Sequence, residues 1–271
     1  MNIIGMDLGT SLAKIIECDK FGNIVNKMLF PEKSATKALE IFIASNNINI
    51  NDIEVVVATG VGASHIEGKE VCGIEVVKEN EFLCIAKGGV KLSKKHEIII
   101  ASMGTGTAFV RVQGEDVKHL GGTAVGGGTI VNLCERFVGT KSFDEIVELA
   151  SKGNLSKVDL VIGDITKAEI PGLAPDITAC NFGKLSKEAK KEDIALGIIN
   201  MVFEVIGMMG VFATKNDTIK DIVAVGSLTV VPYIETVFKK IEDMTGARFI
   251  IPENAEFAGC IGAVKKYIEK G

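Results

Sequence analysis

Two short turns, Gly9-Thr10-Ser11 and Gly104-Thr105-Gly106-Thr107, carry the residue types that bind phosphate. A phosphate oxygen needs backbone N–H groups at close range. Glycine permits that approach, and Thr or Ser hydroxyls add donors. Asp7 ends the apolar run before the first turn. A carboxylate there holds a magnesium ion, directly or through water, against phosphate oxygens. Neither turn follows GxxxxGK[ST], so a P-loop is excluded. Taken singly, each turn also fits an ordinary β-hairpin; the two together with Asp7 point to phosphate.

Two further glycine clusters follow. Gly121 to Thr129 holds five glycines in nine residues and runs into a helical pattern, the arrangement of an anion or nucleotide seat. Gly226-Ser227 follows the apolar run Ile222–Val225. Ligands of open α/β sheets bind beyond the carboxyl ends of strands, which is where that turn falls.

These turns need strands and helices to hold them. Ile3–Asp7, Leu12–Cys18, Ile24–Phe30 and Ile53–Thr59 read as strands, and Thr36–Ser45 and Glu79–Gly88 as helices, the second ending at glycine. The pattern then restarts. Shifted by 95 residues, Ile3–Ile15 lies over Ile98–Val110 with five identities in thirteen positions, Gly9 on Gly104 and Thr10 on Thr105 among them. A duplicated strand–glycine turn–strand unit, one per lobe, is the expectation. Later, Gly128–Phe137, Phe143–Ser151, Asp193–Thr214, Val231–Met244 and Ala255–Lys270 read as helices, with strands at Ile222–Val225 and Arg248–Ile251. Alternation of this kind implies α/β layers. The polar run Ser93–Glu97 divides the chain into lobes of residues 1–96 and 97–271.

Composition sets the outer bounds. The chain has 271 residues, 47% of them hydrophobic, and net charge −5, enough for two lobes and too apolar for disorder. The acidic balance and only three arginines argue against a nucleic-acid binder. Six scattered cysteines without a CxxC pair argue against a disulfide framework or zinc site and for a reducing cytoplasm. The N-terminus does not read as a signal peptide. Ile194–Ala213 is long enough to span a bilayer, but Asn200, Glu204 and lysine-rich flanks favour a buried helix, in the core or at a dimer seam.

MDLGTSLAKI, SMGTGTAF, GGTAVGGGT, PGLAPDITACNFGKL and VGSL, in that order, resemble the type II (eukaryotic-like) pantothenate kinases. That family lies in the superfamily of acetate and sugar kinases, heat-shock chaperone ATPases and actin. The resemblance runs from Ile3 to Ala263. It implies a two-lobed actin-like ATPase fold of duplicated ribonuclease H-like lobes, with ATP in the cleft, and a homodimer.

The resemblance also assigns residues. Asp7, Gly9, Thr10, Ser11 and Lys14 fall on the family's first phosphate turn, DxGGTLxK, with Thr10 for the second glycine and Ser11 for the threonine. Asp7 would hold magnesium, and Lys14 would face the β- or γ-phosphate. Gly104, Thr105 and Gly106 fall on the second phosphate turn, and Gly127, Gly128 and Thr129 on the nucleotide loop. Gly226 and Ser227 join the nucleotide set. Phe143 matches an aromatic position near adenine, or is a core phenylalanine. Glu81 falls on the glutamate that serves the substrate hydroxyl, with Glu79 its rival. Two residues apart on a helix point about 200° apart, so one of them faces the cleft. Thr107 and His119 go with Glu81 to the acceptor side. His119 stands where the family usually has arginine, and neutral imidazole pairs a carboxylate less firmly.

The implied activity is ATP- and magnesium-dependent phosphorylation of pantothenate, the opening step of coenzyme A biosynthesis. The rival readings are a same-superfamily kinase with another hydroxyl acceptor, and a non-catalytic ATP-binding regulator. Neither nucleic acid nor membrane is an expected partner.

Overall fold

The computed structural model describes residues 1–215 and 217–270. Its first sheet begins with β1 (Asn2–Leu8), β2 (Ala13–Cys18) and β3 (Ile24–Phe30), an antiparallel meander. Helix α1 (Ala35–Asn46) follows, capped by Ser34, which accepts from the amide of Lys37. Then come β4 (Ile53–Thr59), β5 (Glu70–Val71), β6 (Ile74–Lys78) and α2 (Glu81–Ser93). The second half opens with β7 (Glu97–Met103), β8 (Thr107–Gln113) and β9 (Asp116–Thr123). It continues through α3 (Gly127–Phe137), α4 (Phe143–Ala150), β10 (Leu160–Val161), α5 (Ile162–Ile165), β11 (Thr178–Cys180) and α6 (Lys191–Thr214). β12 (Asp221–Val225), α7 (Tyr233–Thr245), β13 (Arg248–Ile250) and α8 (Ala258–Ile268) complete it.

The two sheets have one plan. The first is ordered β3-β2-β1-β4-β6-β5, and the second, taken from its far edge, β9-β8-β7-β12-β13. In each, three antiparallel strands are followed by a parallel partner on the open side of the first strand. β1 and β7 are apolar on both faces because both are covered. The 95-residue repeat is thus a repeat of architecture. It extends to the turns: Gly60 after β4 lies against the carbonyl of Leu8, and Gly226 after β12 against that of Met103, both with positive φ. Only glycine fits there without strain.

The helices are less symmetric. α6 is the spine of the second half; Ile198, Ile199, Val202, Phe203 and Ile206 pack on Ile99, Ala101, Met103 and Ile222. It is long and apolar enough to cross a membrane, yet 67% of its apolar window is buried inside the protein. Along its outer side Met201, Val205, Met209 and Phe212 form a stripe, with Met209 and Phe212 exposed.

α2 and α8 exchange sheets. Ile85 and Ala86 of α2 pack on Ile98, Ile100, Val110 and Val112 of the second sheet. Cys260, Ile261 and Val264 of α8 pack on Ile3, Ile16, Val55 and Val57 of the first. Between them the helices cross at Gly88 and Gly262. A Cβ on Gly88 would fall on the carbonyl of Ala258, and one on Gly262 on that of Cys84. Gly88 therefore does not end its helix as expected; α2 continues to Ser93, and Gly88 is where α8 passes. The sheets do lie on either side of Ser93–Glu97 in sequence, but the helix that completes the first sheet comes from residues 258–268.

Three more expectations are corrected. Gly121, Gly122 and Thr123 lie in β9, because a third strand pairs β8 here as β3 pairs β2. Glu79 precedes α2, whose N-cap is Asn80. The Val231–Met244 helix starts at Tyr233, after a 3-10 turn over Ser227–Val230.

Candidate active site

The two phosphate-type turns meet tip to tip. Thr10 Oγ1 and Thr105 Oγ1 share a hydrogen bond at 2.6 Å, and Ser11 Oγ lies 3.0 Å from the same Thr105 oxygen. Three hydroxyls thus converge where the lobes face each other.

Beneath the first turn, Lys14 Nζ donates to Asp7 Oδ2 at 2.9 Å, both side chains largely buried. The hairpin causes this: Asp7 and Lys14 are direct cross-strand partners of β1 and β2. Burial alone would depress the Lys14 ammonium, but the charge and hydrogen bond of Asp7 outweigh it, and Lys14 is held above its ordinary value. The Asp7 carboxylate fits between two glycine backbones. A Cβ on Gly60 would lie 2.6 Å from Oδ1, and one on Gly259 2.8 Å from Oδ2. Gly259 is in the first turn of α8, so the positive helix end faces the carboxylate.

Glu81 is the first residue of α2 and feels both groups. Burial raises its carboxyl above the ordinary value, the like charge of Asp7 adds to that, and Lys14 offsets part. Glu79 faces elsewhere. Its side chain is 4% exposed and is ion-paired to Lys266 and Lys270 of the α8 end.

The glycine loop is built into the second turn. Gly127 N donates to Gly104 O at 2.8 Å and Gly128 N to Thr105 O at 3.0 Å. A Cβ on Gly126 would lie 2.7 Å from Thr105 O and 2.8 Å from Gly106 Cα. The expected donors at Gly127 and Gly128 are therefore committed to bracing the turn. Thr129 Oγ1 accepts from Gly126 N at 3.2 Å. Thr107 is also a brace: it is buried, and its hydroxyl donates to Val125 O at 2.9 Å. Ser227 Oγ approaches Met103 O at 3.5 Å, which brings the Gly226-Ser227 turn to the same corner.

Phe143 starts α4 and lines a cavity of about 300 Å³ with Asp144, Val147, Glu148, Ser151 and Val230. Val230 ends the 3-10 turn that begins at Ser227. Phe143 also packs at the edge of the main core. His119, on β9, is exposed and stacks on Phe82 with ring centroids 4.1 Å apart. Phe82 follows Glu81 directly. Gly259 and Val230 had no signal in the sequence, since each matters only through a distant strand or turn. Among the described residues no group of three His, Cys, Asp or Glu side chains is placed to hold a metal.

A family model described as Fumble matches residues 91–238. The chain belongs to the Fumble family. A full-length relative of this Fumble chain is the type II pantothenate kinase of Staphylococcus haemolyticus (strain JCSC1435), 27% identical over 274 residues, covering 96% of this chain and 98% of that one. Two solved structures give the fold. The activator of 2-hydroxyisocaproyl-CoA dehydratase from Clostridium difficile, with bound ADPNP, aligns with TM-score 0.70 and 16% identity over 100% of this chain and 95% of that one. A ROK family glucokinase from Streptomyces griseus, in complex with glucose and AMPPNP, aligns with TM-score 0.62 and 13% identity over the whole of both chains. The Fumble chain thus has the two-lobed fold of both a kinase and an activator, and its own residues must distinguish them.

Proposed function

We propose that the protein is a pantothenate kinase: it transfers the γ-phosphoryl group of ATP to the primary hydroxyl of pantothenate, giving 4′-phosphopantothenate, the first step of coenzyme A biosynthesis. The observation that carries this is the buried Lys14–Asp7 pair with Glu81 beside it, under the junction of Thr10, Ser11 and Thr105. Phosphoryl transfer asks for alignment, charge neutralisation and an acceptor for the hydroxyl proton, and a carboxylate near the buried Lys14–Asp7 pair suits the last of these.

In this reading Thr10, Ser11, Thr105 and Lys14 hold the phosphates. Gly9, Gly104, Gly106, Gly126, Gly127, Gly128 and Thr129 shape the turns around them. The base lies in the cavity beside Phe143, under the Gly226-Ser227 turn. Glu81 takes the hydroxyl proton; burial and the like charge of Asp7 raise its carboxyl above the ordinary value. His119, stacked on Phe82, faces the carboxylate end of the acceptor.

Asp7 fits a magnesium ion that arrives with the nucleotide. One carboxylate plus phosphate oxygens and water is a common magnesium shell. When bound, the ion neutralises charge on the β- and γ-oxygens.

We infer further that two copies pair through the outer stripe of α6, whose residues Met201, Val205, Met209 and Phe212 recur at helical spacing. We place the protein in a reducing cytoplasm, a reading that rests on six scattered cysteines without a CxxC pair.

The test is magnesium- and ATP-dependent turnover with pantothenate, run against a no-acceptor control, a panel of other small hydroxyl compounds and Glu81→Gln. Turnover confined to pantothenate and lost in the variant is expected. ATP binding without turnover on any acceptor overturns the kinase reading.

A further inference from the structure

Glu79 takes no part in the proposed transfer, yet it is tightly held. Its side chain is 4% exposed; Oε2 meets Lys266 Nζ at 2.6 Å, and Oε1 meets Lys270. Burial alone would raise this carboxyl, but the two ammonium groups reverse that and keep it ionised. Its backbone is fixed as well: Glu79 N donates to Ala58 O of β4 at 2.9 Å. The next residue, Asn80, caps α2 by accepting from Leu83 N at 3.1 Å. Glu81 then follows as the first helical residue.

The other end of α8 rests on the phosphate side of the site. Gly259 packs on the Asp7 carboxylate, and Cys260 Sγ donates to Lys14 O at 3.1 Å. One rigid helix, roughly 16 Å long at 1.5 Å per residue, therefore runs from the Asp7–Lys14 pair to the residue two before Glu81.

We propose that Glu79 is a positioning residue: its clamp on Lys266 and Lys270 ties Glu81 to α8 and so sets the spacing between Glu81 and the Asp7–Lys14 pair. The inference rests on the reading of Glu81 as the base. It explains why a carboxylate is buried at this point at all, since an ion pair there gives little stability that apolar packing would not.

An internal control lies in the same pair of helices. Lys87 of α2 joins Glu269, just past α8, at 2.9 Å, six residues along the helix from Glu81. This pair is more exposed than Glu79, and it reports what a solvent-side tie between α2 and the α8 end contributes to turnover.

The experiment compares steady-state kinetics of Glu79→Gln, Glu79→Asp, Lys87→Gln and Glu81→Gln with ATP and pantothenate, well below each melting temperature. Glu79→Gln is expected to lose about tenfold or more in kcat with the KM for ATP within about twofold, the signature of a displaced reacting group. Glu79→Asp recovers part of the loss, and Lys87→Gln keeps kcat within about twofold of the parent. A Glu79→Gln kcat equal to the parent, or an equal loss in Lys87→Gln, overturns the proposal. Should Glu79→Gln not fold, Lys266→Gln is read by the same criterion. Full turnover in Glu81→Gln would overturn the base reading itself, whereas loss there with none in Glu79→Gln removes only the positioning role.

Discussion

Thr10 and Thr105, one on each lobe and 95 residues apart, bring their hydroxyl oxygens to 2.6 Å. That separation is also the offset of the sequence repeat. The duplicated unit thus brings the same residue of each copy to one point.

Thr105→Val keeps the shape and removes the hydroxyl that meets both Thr10 and Ser11. Hydrogen bonds to charged groups contribute about 1.5–3 kcal/mol, so the KM for ATP is expected to rise by roughly ten- to a hundredfold. The KM for pantothenate stays near the parent value. Kinetics with each substrate varied in turn checks this.

Lys14→Met leaves Asp7 without its partner in a largely buried site. Breaking such a pair costs about 3–5 kcal/mol, read as a shift in the urea midpoint. Adding Asp7→Asn is expected to restore much of the stability and none of the turnover. Recovery of both would remove Asp7 and Lys14 from the transfer step.

Glu81 has a raised carboxyl, from burial first and Asp7 second. Because the base must be ionised, the acidic limb of kcat is expected above the ordinary glutamate value, and Glu81→Gln lowers kcat by about 10²–10⁴-fold. The stability sign is opposite to that of a salt-bridged acid. In the window between the ordinary and the raised value the folded state binds more protons than the unfolded one, so stability falls as pH rises through it. Glu81→Gln is therefore expected to be more stable than the parent at neutral pH, and denaturation at two pH values tests it.

Gly126→Ala puts a methyl group 2.7 Å from Thr105 O and 2.8 Å from Gly106 Cα, both backbone atoms that no rotamer change relieves. Overpacking of this kind costs about 1–3 kcal/mol. A lower melting temperature and a raised KM for ATP are expected together, since the same atoms form the second phosphate turn.

Met209→Glu with Phe212→Glu places two charges on the outer stripe of α6. A fall in sedimented mass from two copies to one is the expected result. An unchanged mass would move the contact to another face.

Much of this was legible in the residues. The β3 and β4 limits were read as they stand, because apolar alternation ended at glycine or proline. The turns at Thr10 and Thr105 were legible because glycine and hydroxyl residues repeated together. What was hidden depends on distant partners. Gly88 looked like a helix end, since sequence does not reveal that α8 crosses there. Gly127 and Gly128 looked like free donors, since their acceptors lie on another turn. The resemblance favoured Glu81 over Glu79, but that Glu79 pairs with Lys266 and Lys270 was hidden, since both lysines lie far along the chain.

The exchange of α2 and α8 between sheets also bears on how the chain is made. Until residues 258–268 leave the ribosome, β1, β2 and β4 have one apolar face uncovered. At ordinary elongation rates that interval is roughly ten to thirty seconds. The first half therefore completes its packing only after these late residues have been made, so the two halves mature as one unit.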